Sequence, residues 1–486
     1  MSPTNLQGAP PPDMKVSPLV VSGPSSNRVD LVFFSDGYLA EEYDKFIEDA
    51  KRLADDLSGN HTFNTVKPLL NFWAAFTPSK EASMDGVGTG GKPLDTIYGL
   101  YRPGTELRGV LYTKPEVARA ACLSLGDRCD YPILMGNDPL YGGLGGEFTV
   151  ITPSIANGAL VLRHELGHSI IDVGEEYDGA EDWDHFGVNS HPSLATPVSW
   201  AHWLTNSSSA PKVREERSVM PLQDYAWTML NTTTSWSANF SASGQYARSL
   251  FRFSLSGLPE ESDLTVEVDG KDLGWQPKIG LGVDRWHYDI YRDGGLSDGE
   301  HEIKFTLNNA DREGIAQLCS VEVLEFGDEI QFNSTPGHYS LYPTFSDTNQ
   351  TYYRPTNEDC LMRIVTTPDF CSVCMEDLWL KVLRRVDLID DIHIGPVDTA
   401  SKTHTVSLSL APLAELRDVP VPETESWFIQ WYKGSDGKTL DEFTNKTTVE
   451  LDTGYYSVDV RFFTEEIRVD KEGLTTSHRH IFVGET

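Results

Sequence analysis

The chain has 486 residues and carries a formal charge of -34 at neutral pH. That length exceeds one ordinary core, so roughly two to four domains are expected. The acidic balance argues against nucleic acid or an anionic membrane as partner, and no apolar run is long enough to span a bilayer.

Residues 1–27 read as an extended, Pro- and Ser-rich arm with a strand around Val16–Val21. The opening lacks the apolar core of a signal peptide, and a secreted chain with its leader trimmed is the expectation. Asn60, Asn206, Asn231, Asn239, Asn333, Asn349 and Asn445 begin glycosylation triplets, which suits a secretory route. The cysteines are even in number, and Cys122 and Cys129 close a short loop that a disulfide could hold.

The apolar run Arg28–Ser35 predicts a strand buried on both faces. A turn at Asp36-Gly37 follows, and Tyr43, Phe46, Ile47, Ala50, Leu53 and Leu57 then repeat at helical spacing between Leu39 and Leu57. A second strand is predicted at Leu69–Phe76, a Gly-rich loop from Ser79 to Lys92, and another buried strand at Tyr131–Asp138. Tyr141–Pro153 is rich in glycine, which permits either a hairpin or close approach of another backbone.

The segment that demands a chemistry comes next. A helix is predicted from Ser154 to a stop at Gly174, and on it His164 and His168 project from one face, one turn apart, with Glu165 beside the first. Two imidazoles at that spacing suit a zinc ion, and the adjacent carboxylate suits a general base acting on water. Glu175, Glu176 and Tyr177 follow, so that either glutamate is a candidate third metal ligand; Asp172 falls on the continuing helix. His185 and His191 are ligands on paper, without a spacing partner.

Between the helix and a second group of motifs lies too much chain for loops. Short alternating strands at Leu250–Leu255, Leu264–Val268, Trp286–Ile290 and His301–Leu307 predict an inserted β-sandwich over 246–330. Its Trp275, Trp286, Tyr288 and Tyr291 read as core aromatics, with a sugar-stacking face as the other use. Strands at Thr405–Leu410, Trp427–Tyr432, Thr448–Leu451, Tyr456–Phe463 and His480–Val483 predict an immunoglobulin-like sandwich over 403–486.

Three stretches together resemble the IgA-peptidase family (M64) of zinc metallopeptidases. They are His164-Glu-Leu-Gly-His168 with Glu175-Glu176-Tyr177; Val32-Phe-Phe-Ser-Asp-Gly-Tyr38; and Arg354-Pro-Thr-Asn-Glu-Asp-Cys-Leu-Met-Arg363 with Phe370-Cys-Ser-Val-Cys374. Glu175 stands where the family usually has Asp, and Ser35 replaces a Gly. The metzincin continuation is absent, with Ile171 and Gly174 at its positions.

The resemblance implies an α/β (α+β) zincin-like catalytic domain, with a mixed sheet and an active-site helix, over 28–240 and 331–400 and closed by a helix at Glu376–Ile389. It implies Zn2+ on His164 and His168, Glu165 as base, and an antiparallel edge strand at 141–153 receiving the substrate as an added strand. Met362, rather than Met220, becomes the methionine beneath the metal, and Tyr177 and Arg363 become candidate stabilisers of the tetrahedral intermediate. Cys371-x-x-Cys374 alone is compatible with redox chemistry or half a zinc knuckle; a disulfide from Cys360 to Cys371 or Cys374 is expected instead. The function expected is that of a secreted zinc-dependent metalloendopeptidase acting on protein or peptide substrates. The alternative is a glycan- or surface-binding β-sandwich protein with a vestigial or structural zinc site, its β modules making the glycan contact.

Overall fold

The structure, a computed structural model, describes residues 9–59, 61–84, 94–193, 197–205, 214–412, 424–434 and 437–484. Asn60, Asn206 and the Gly-rich loop beyond residue 84 lie outside the described residues. The architecture is mixed α/β, with several sheets and few helices.

A six-stranded sheet carries the site. Its strands are β1 (Lys15–Val21), β2 (Val29–Asp36), β3 (Leu70–Phe76), β4 (Tyr131–Gly136), β5 (Gly143–Leu144) and β6 (Thr149–Ile151). Their spatial order is β1-β3-β2-β4-β6-β5. Strands β3, β2, β4 and β6 run parallel, while β1 and β5 are antiparallel to their neighbours at the two ends.

Every residue of β2 is buried. Alternation along the strand sends Val29, Leu31 and Phe33 into one apolar cluster and Val32 and Phe34 into another. The first cluster is covered by α1 (Tyr43–Gly59), through Phe46, Ala50, Leu53 and Leu57, and by α3 (Gly158–Ile170), through Val161, Leu162 and Leu166. The second is covered by α2 (Pro115–Ser124), through Ala118 and Ala121. The result is a sheet between helical layers, which explains why its central strand reads as an unbroken apolar run.

Helix α3 is shorter than its apolar pattern predicts. Ser154 holds a turn ahead of it, its Oγ accepting from Asn157 N–H at 3.0 Å and its carbonyl from Gly158 N–H at 2.9 Å, and the helix begins only at Gly158, with Asn157 as its N-cap residue. The helix ends before Ile171, whose backbone is extended. Asp172 is therefore beyond the helix and exposed, not on its continuing face.

Strands between Ser218 and Phe326 form two antiparallel sheets packed around Phe251, Phe253, Leu255, Val266, Ile303 and Phe305. Ser218–Asp224 and Trp236–Ser243, upstream of residue 246, hydrogen-bond into those sheets. Trp275 is core and meets Tyr288 edge-on at 5.6 Å, whereas Tyr291 is exposed. The last helix, α4 (Ser372–Leu383), ends earlier than expected, because Ile389–Val397 is already a strand pairing with Thr403–Leu410. With Thr448–Asp452 it forms one C-terminal sheet; Ser426–Lys433, Gly454–Phe463 and Thr476–Val483 belong to the other. Trp379 of α4 packs on Phe462 at 5.3 Å, so this core is continuous with that of the six-stranded sheet. No helix among the described residues is long and apolar enough to cross a membrane.

Candidate active site

On α3 the four-residue spacing places the rings of His164 and His168 4.9 Å apart, with 3.3 Å between their Nε2 atoms. After the helix ends, the chain doubles back and Glu175 reaches both: its Oε1 lies 3.0 Å from His168 Nε2 and 3.3 Å from His164 Nε2. The Val173 carbonyl engages His168 Nδ1 at 3.1 Å, so Nε2 is left facing the cluster. Glu175 itself is held from behind by backbone: its N–H donates to Asp184 O at 2.9 Å and its carbonyl meets His185 Nδ1 at 3.0 Å.

These three groups fit a divalent metal. Donor atoms about 2.0–2.1 Å from one centre in tetrahedral arrangement lie about 3.3 Å from each other, and the separations here are 3.0 and 3.3 Å. Electrostatics agree. Burial alone would raise the Glu175 pKa, but the two imidazoles hold it well below the carboxylate range. Burial alone would lower that of His168, but Glu175 outweighs it and lifts the imidazole to about 9. Without a metal the carboxylate keeps positive charge on the rings; a cation can take the place of those protons.

Glu165 points from the same helix toward the edge strand. Burial raises its pKa. A Cβ built on Gly143 would come within 2.8 Å of Glu165 Oε1, and one on Gly145 within 3.0 Å of Oε2. Strand β5 therefore lies close over the carboxylate because those positions lack side chains. Its outer edge is partly covered: Gly143 N–H donates to Arg108 O and Val110 N–H to Gly143 O, each at 3.3 Å.

The other sequence-predicted residues fall in different places. Tyr177 lines the cavity over the histidines, and burial holds its hydroxyl protonated well above its usual range. Met362 is fully buried under α3, its Sδ 3.2 Å from where a Cβ on Gly167 would stand. Met220 is not there; it packs against a separate cluster around Phe326 and Tyr342. Arg363 pairs with Asp178 at 2.7 Å, both side chains fully buried, and donates to Glu176 O at 3.0 Å, so it clamps the Glu175–Asp178 segment. Glu176 turns away from the histidines, toward Asn189 and three cysteines. His185 stacks on Tyr352, and His191 joins its backbone to Tyr353. Cys122 and Cys129 are bonded; the bridge expected at Cys360 is not formed, and Cys319, Cys360, Cys371 and Cys374 are free and buried.

The cavity above the cluster measures about 450 Å³. Sequence reading missed the far side of its wall, which comes from the strands and connecting loops between Ser218 and Phe326: Tyr225, Trp227, Arg252, Arg285, His287 and Glu322. Arg252 is bound by Asp289 at 2.8 Å and Glu358 at 2.7 Å, while burial pushes the Glu322 carboxyl up to about 8. The module is also fastened to α3. Asp284 accepts from Tyr141 N–H at 2.6 Å, Ser154 Oγ at 2.6 Å and Asn157 Nδ2 at 2.9 Å.

A half-buried His-His-Glu cluster open to a cavity, with a further carboxylate on the same helix, is the kind of site found in metal-dependent hydrolases. Residues 17–213 match the model of the IgA Peptidase M64 family, which places that stretch in a peptidase family and bears out the resemblance read from its motifs. The Met362 and Cys371-x-x-Cys374 signatures lie beyond the matched residues. No curated protein matches the chain. Among solved structures, a β-porphyranase of glycoside hydrolase family 86 from Bacteroides plebeius is 14% identical over 24% of this chain and 22% of its own, with a TM-score of 0.19. An exo-β-1,3-galactanase from Phanerochaete chrysosporium is 17% identical over 22% of this chain and 29% of its own, with a TM-score of 0.15. The chain thus spans less than a third of either, and likenesses this slight carry no argument about fold or function.

Proposed function

We propose that the protein is a secreted zinc-dependent metalloendopeptidase with a zincin-like catalytic domain, zinc being held by His164, His168 and Glu175. The observation that carries this reading is the convergence of those three donor atoms below a glycine edge strand, with Glu165 between strand and helix. When bound, the ion supplies Lewis acidity toward water and the scissile carbonyl.

The rest is done by the chain. Past the bridge at Gly143, the backbone from Leu144 to Gly146 holds an extended substrate as an added strand. Glu165, its pKa raised by burial, accepts the proton of the attacking water and returns it to the leaving amine. Tyr177, kept protonated, offers an O–H to the developing oxyanion. Arg363 and Met362 position rather than react: one clamps the 175–178 segment, the other supports the helix under the histidines. The disulfide at Cys122–Cys129 suits an oxidising compartment. The rival reading, a binding protein with a closed structural metal, gives no use to Glu165 or to the cavity.

The test is Glu165→Gln assayed on casein and a fluorogenic peptide, with metal analysis alongside. Activity should fall by about 10²–10⁴-fold while the metal stays bound. Parental rates in that variant, or rates in the parent that survive full chelation, would remove the assignment.

A further inference from the structure

Glu176 follows the carboxylate that meets the histidines, yet in extended chain consecutive side chains point to opposite sides. It enters a second cluster with Cys360, Cys371 and Cys374. All four are buried, and one donor atom from each lies within 4.8 Å of the others. Cys374 is at the centre: its Sγ is 3.7 Å from Cys360 Sγ, 3.7 Å from Cys371 Sγ and 4.0 Å from Glu176 Oε1.

Those spacings have a physical reading. Thiolates bound to zinc at about 2.3 Å in a tetrahedron stand about 3.7–3.8 Å from each other. Two equal gaps around a shared sulfur match the spacing of a ligand set rather than a bonded pair with a spare. The local structure agrees. Cys371 and Cys374 have the C-x-x-C spacing at the start of α4, with Cys371 as its N-cap residue, so unpaired helical N–H groups favour negative charge there. Cys371 N–H donates to Cys360 Sγ at 3.5 Å, which favours the anionic sulfur.

An independent sign comes from Glu176. The residue is 1% exposed, Oε1 accepts from Asn189 Nδ2 at 2.8 Å, and Oε2 has no hydrogen-bond partner. A buried carboxylate oxygen left unpaired is costly unless a cation lies against it.

We propose that Cys360, Cys371, Cys374 and Glu176 hold a second zinc ion in a closed, structural four-ligand site. Three thiolates select a soft, thiophilic ion, and four protein ligands leave no position for substrate. The site would pin three separate segments together: the chain after α3, the loop that carries Met362, and the start of α4. Glu176 N–H already donates to Met362 O at 3.0 Å, and the ion would lock that junction, fixing where Glu175 stands. The proposal does not depend on the peptidase reading.

The full chain, purified without reductant, should contain two zinc ions by elemental analysis, and His164→Ala/His168→Ala should keep one. Cobalt exchanged into that histidine variant should show an intense sulfur-to-cobalt charge-transfer band. After denaturation with chelator, all four free cysteines should react with a thiol reagent. A single zinc in the parent that is lost from the histidine variant, absence of the band, or a mapped disulfide among Cys360, Cys371 and Cys374 would each overturn the proposal. The zinc content and thiol mapping of the parent chain are read without any substitution, so they decide the proposal even where the histidine variant does not fold.

Discussion

Gly143→Ala is the sharpest perturbation of the proposed substrate strand. The added Cβ would meet Val161 Cγ1 at 2.3 Å, Glu165 Oε1 at 2.8 Å and Glu165 Cγ at 3.2 Å. Ordinary carbon contacts are near 3.5–4.0 Å, so β5 must lift from α3 by about 1 Å or Val161 must leave its packed rotamer. Overpacking of this kind costs about 1–3 kcal/mol, which a protein with a stability of about 5–15 kcal/mol survives folded. A displacement of about 1 Å at the strand that aligns substrate is worth about 10²-fold in rate. The expected outcome is therefore a folded, metal-replete enzyme whose kcat/KM on a fluorogenic peptide drops by about 10²-fold. Gly104→Ala, where a Cβ meets nothing within 4 Å, is the control and should be silent. Adding Val161→Ala to Gly143→Ala removes the closest contact and should restore part of the rate. Full activity in Gly143→Ala with an unchanged melting temperature would show that β5 does not align the substrate over Glu165.

Glu175→Gln should lose both activity and the histidine-held metal, whereas Asp172→Asn, exposed beyond the helix end, should change neither; elemental analysis of the two decides it. Arg363→Met breaks an ion pair whose partners are both fully buried, and should lower stability by about 3–5 kcal/mol, with Asp178→Asn in the same chain recovering part of it. Equal denaturation midpoints for parent and Arg363→Met would refute that clamp. The metal-stripped protein should also show a pH dependence that the loaded protein lacks. The folded pKa of His168 is raised, from 6.5 to about 9, so its stabilisation is complete below pH 6.5 and is lost as pH rises through about 9. At 1.36 kcal/mol per pKa unit the loss is on the order of 1–3 kcal/mol, counted once for His168 and Glu175 together. Denaturation midpoints with chelator at pH 6 and pH 9.5 test the sign, and a midpoint that rises with pH would contradict it.

The helix that carries the two histidines was legible because a four-residue spacing has only one geometric meaning on a helix. β2 was legible for a similar reason, since an unbroken apolar run of strand length calls for cover on both faces. The choice between Glu175 and Glu176 was not. They are chemically identical neighbours, and only the path of the chain after Ile171 decides which one reaches the imidazoles. The start of α3 was not legible either: the apolar pattern opens the helix at Ser154, but residues 155–157 form a turn held by Ser154 Oγ and the helix begins at Gly158. The cavity wall was illegible on principle. Arg252, His287 and Glu322 sit on strands whose alternation looks like that of any sandwich, Arg285 lies just ahead of one, and no local pattern says that this end will stand over a helix far earlier in the sequence.

The Asp284 carboxylate binds the cap of α3 from a strand module whose other residues overlook the histidines. Mechanical anchorage and substrate wall are thus vested in one insertion. Exchanging that module for another of the same topology would redraw the contour that a substrate of the proposed peptidase must match to enter, while an aspartate kept at the anchoring position would leave α3 where it is. Under the proposed function, shaping selectivity and preserving turnover are separable tasks of one module, with Asp284 anchoring the helix beside Arg285 and His287 of the wall.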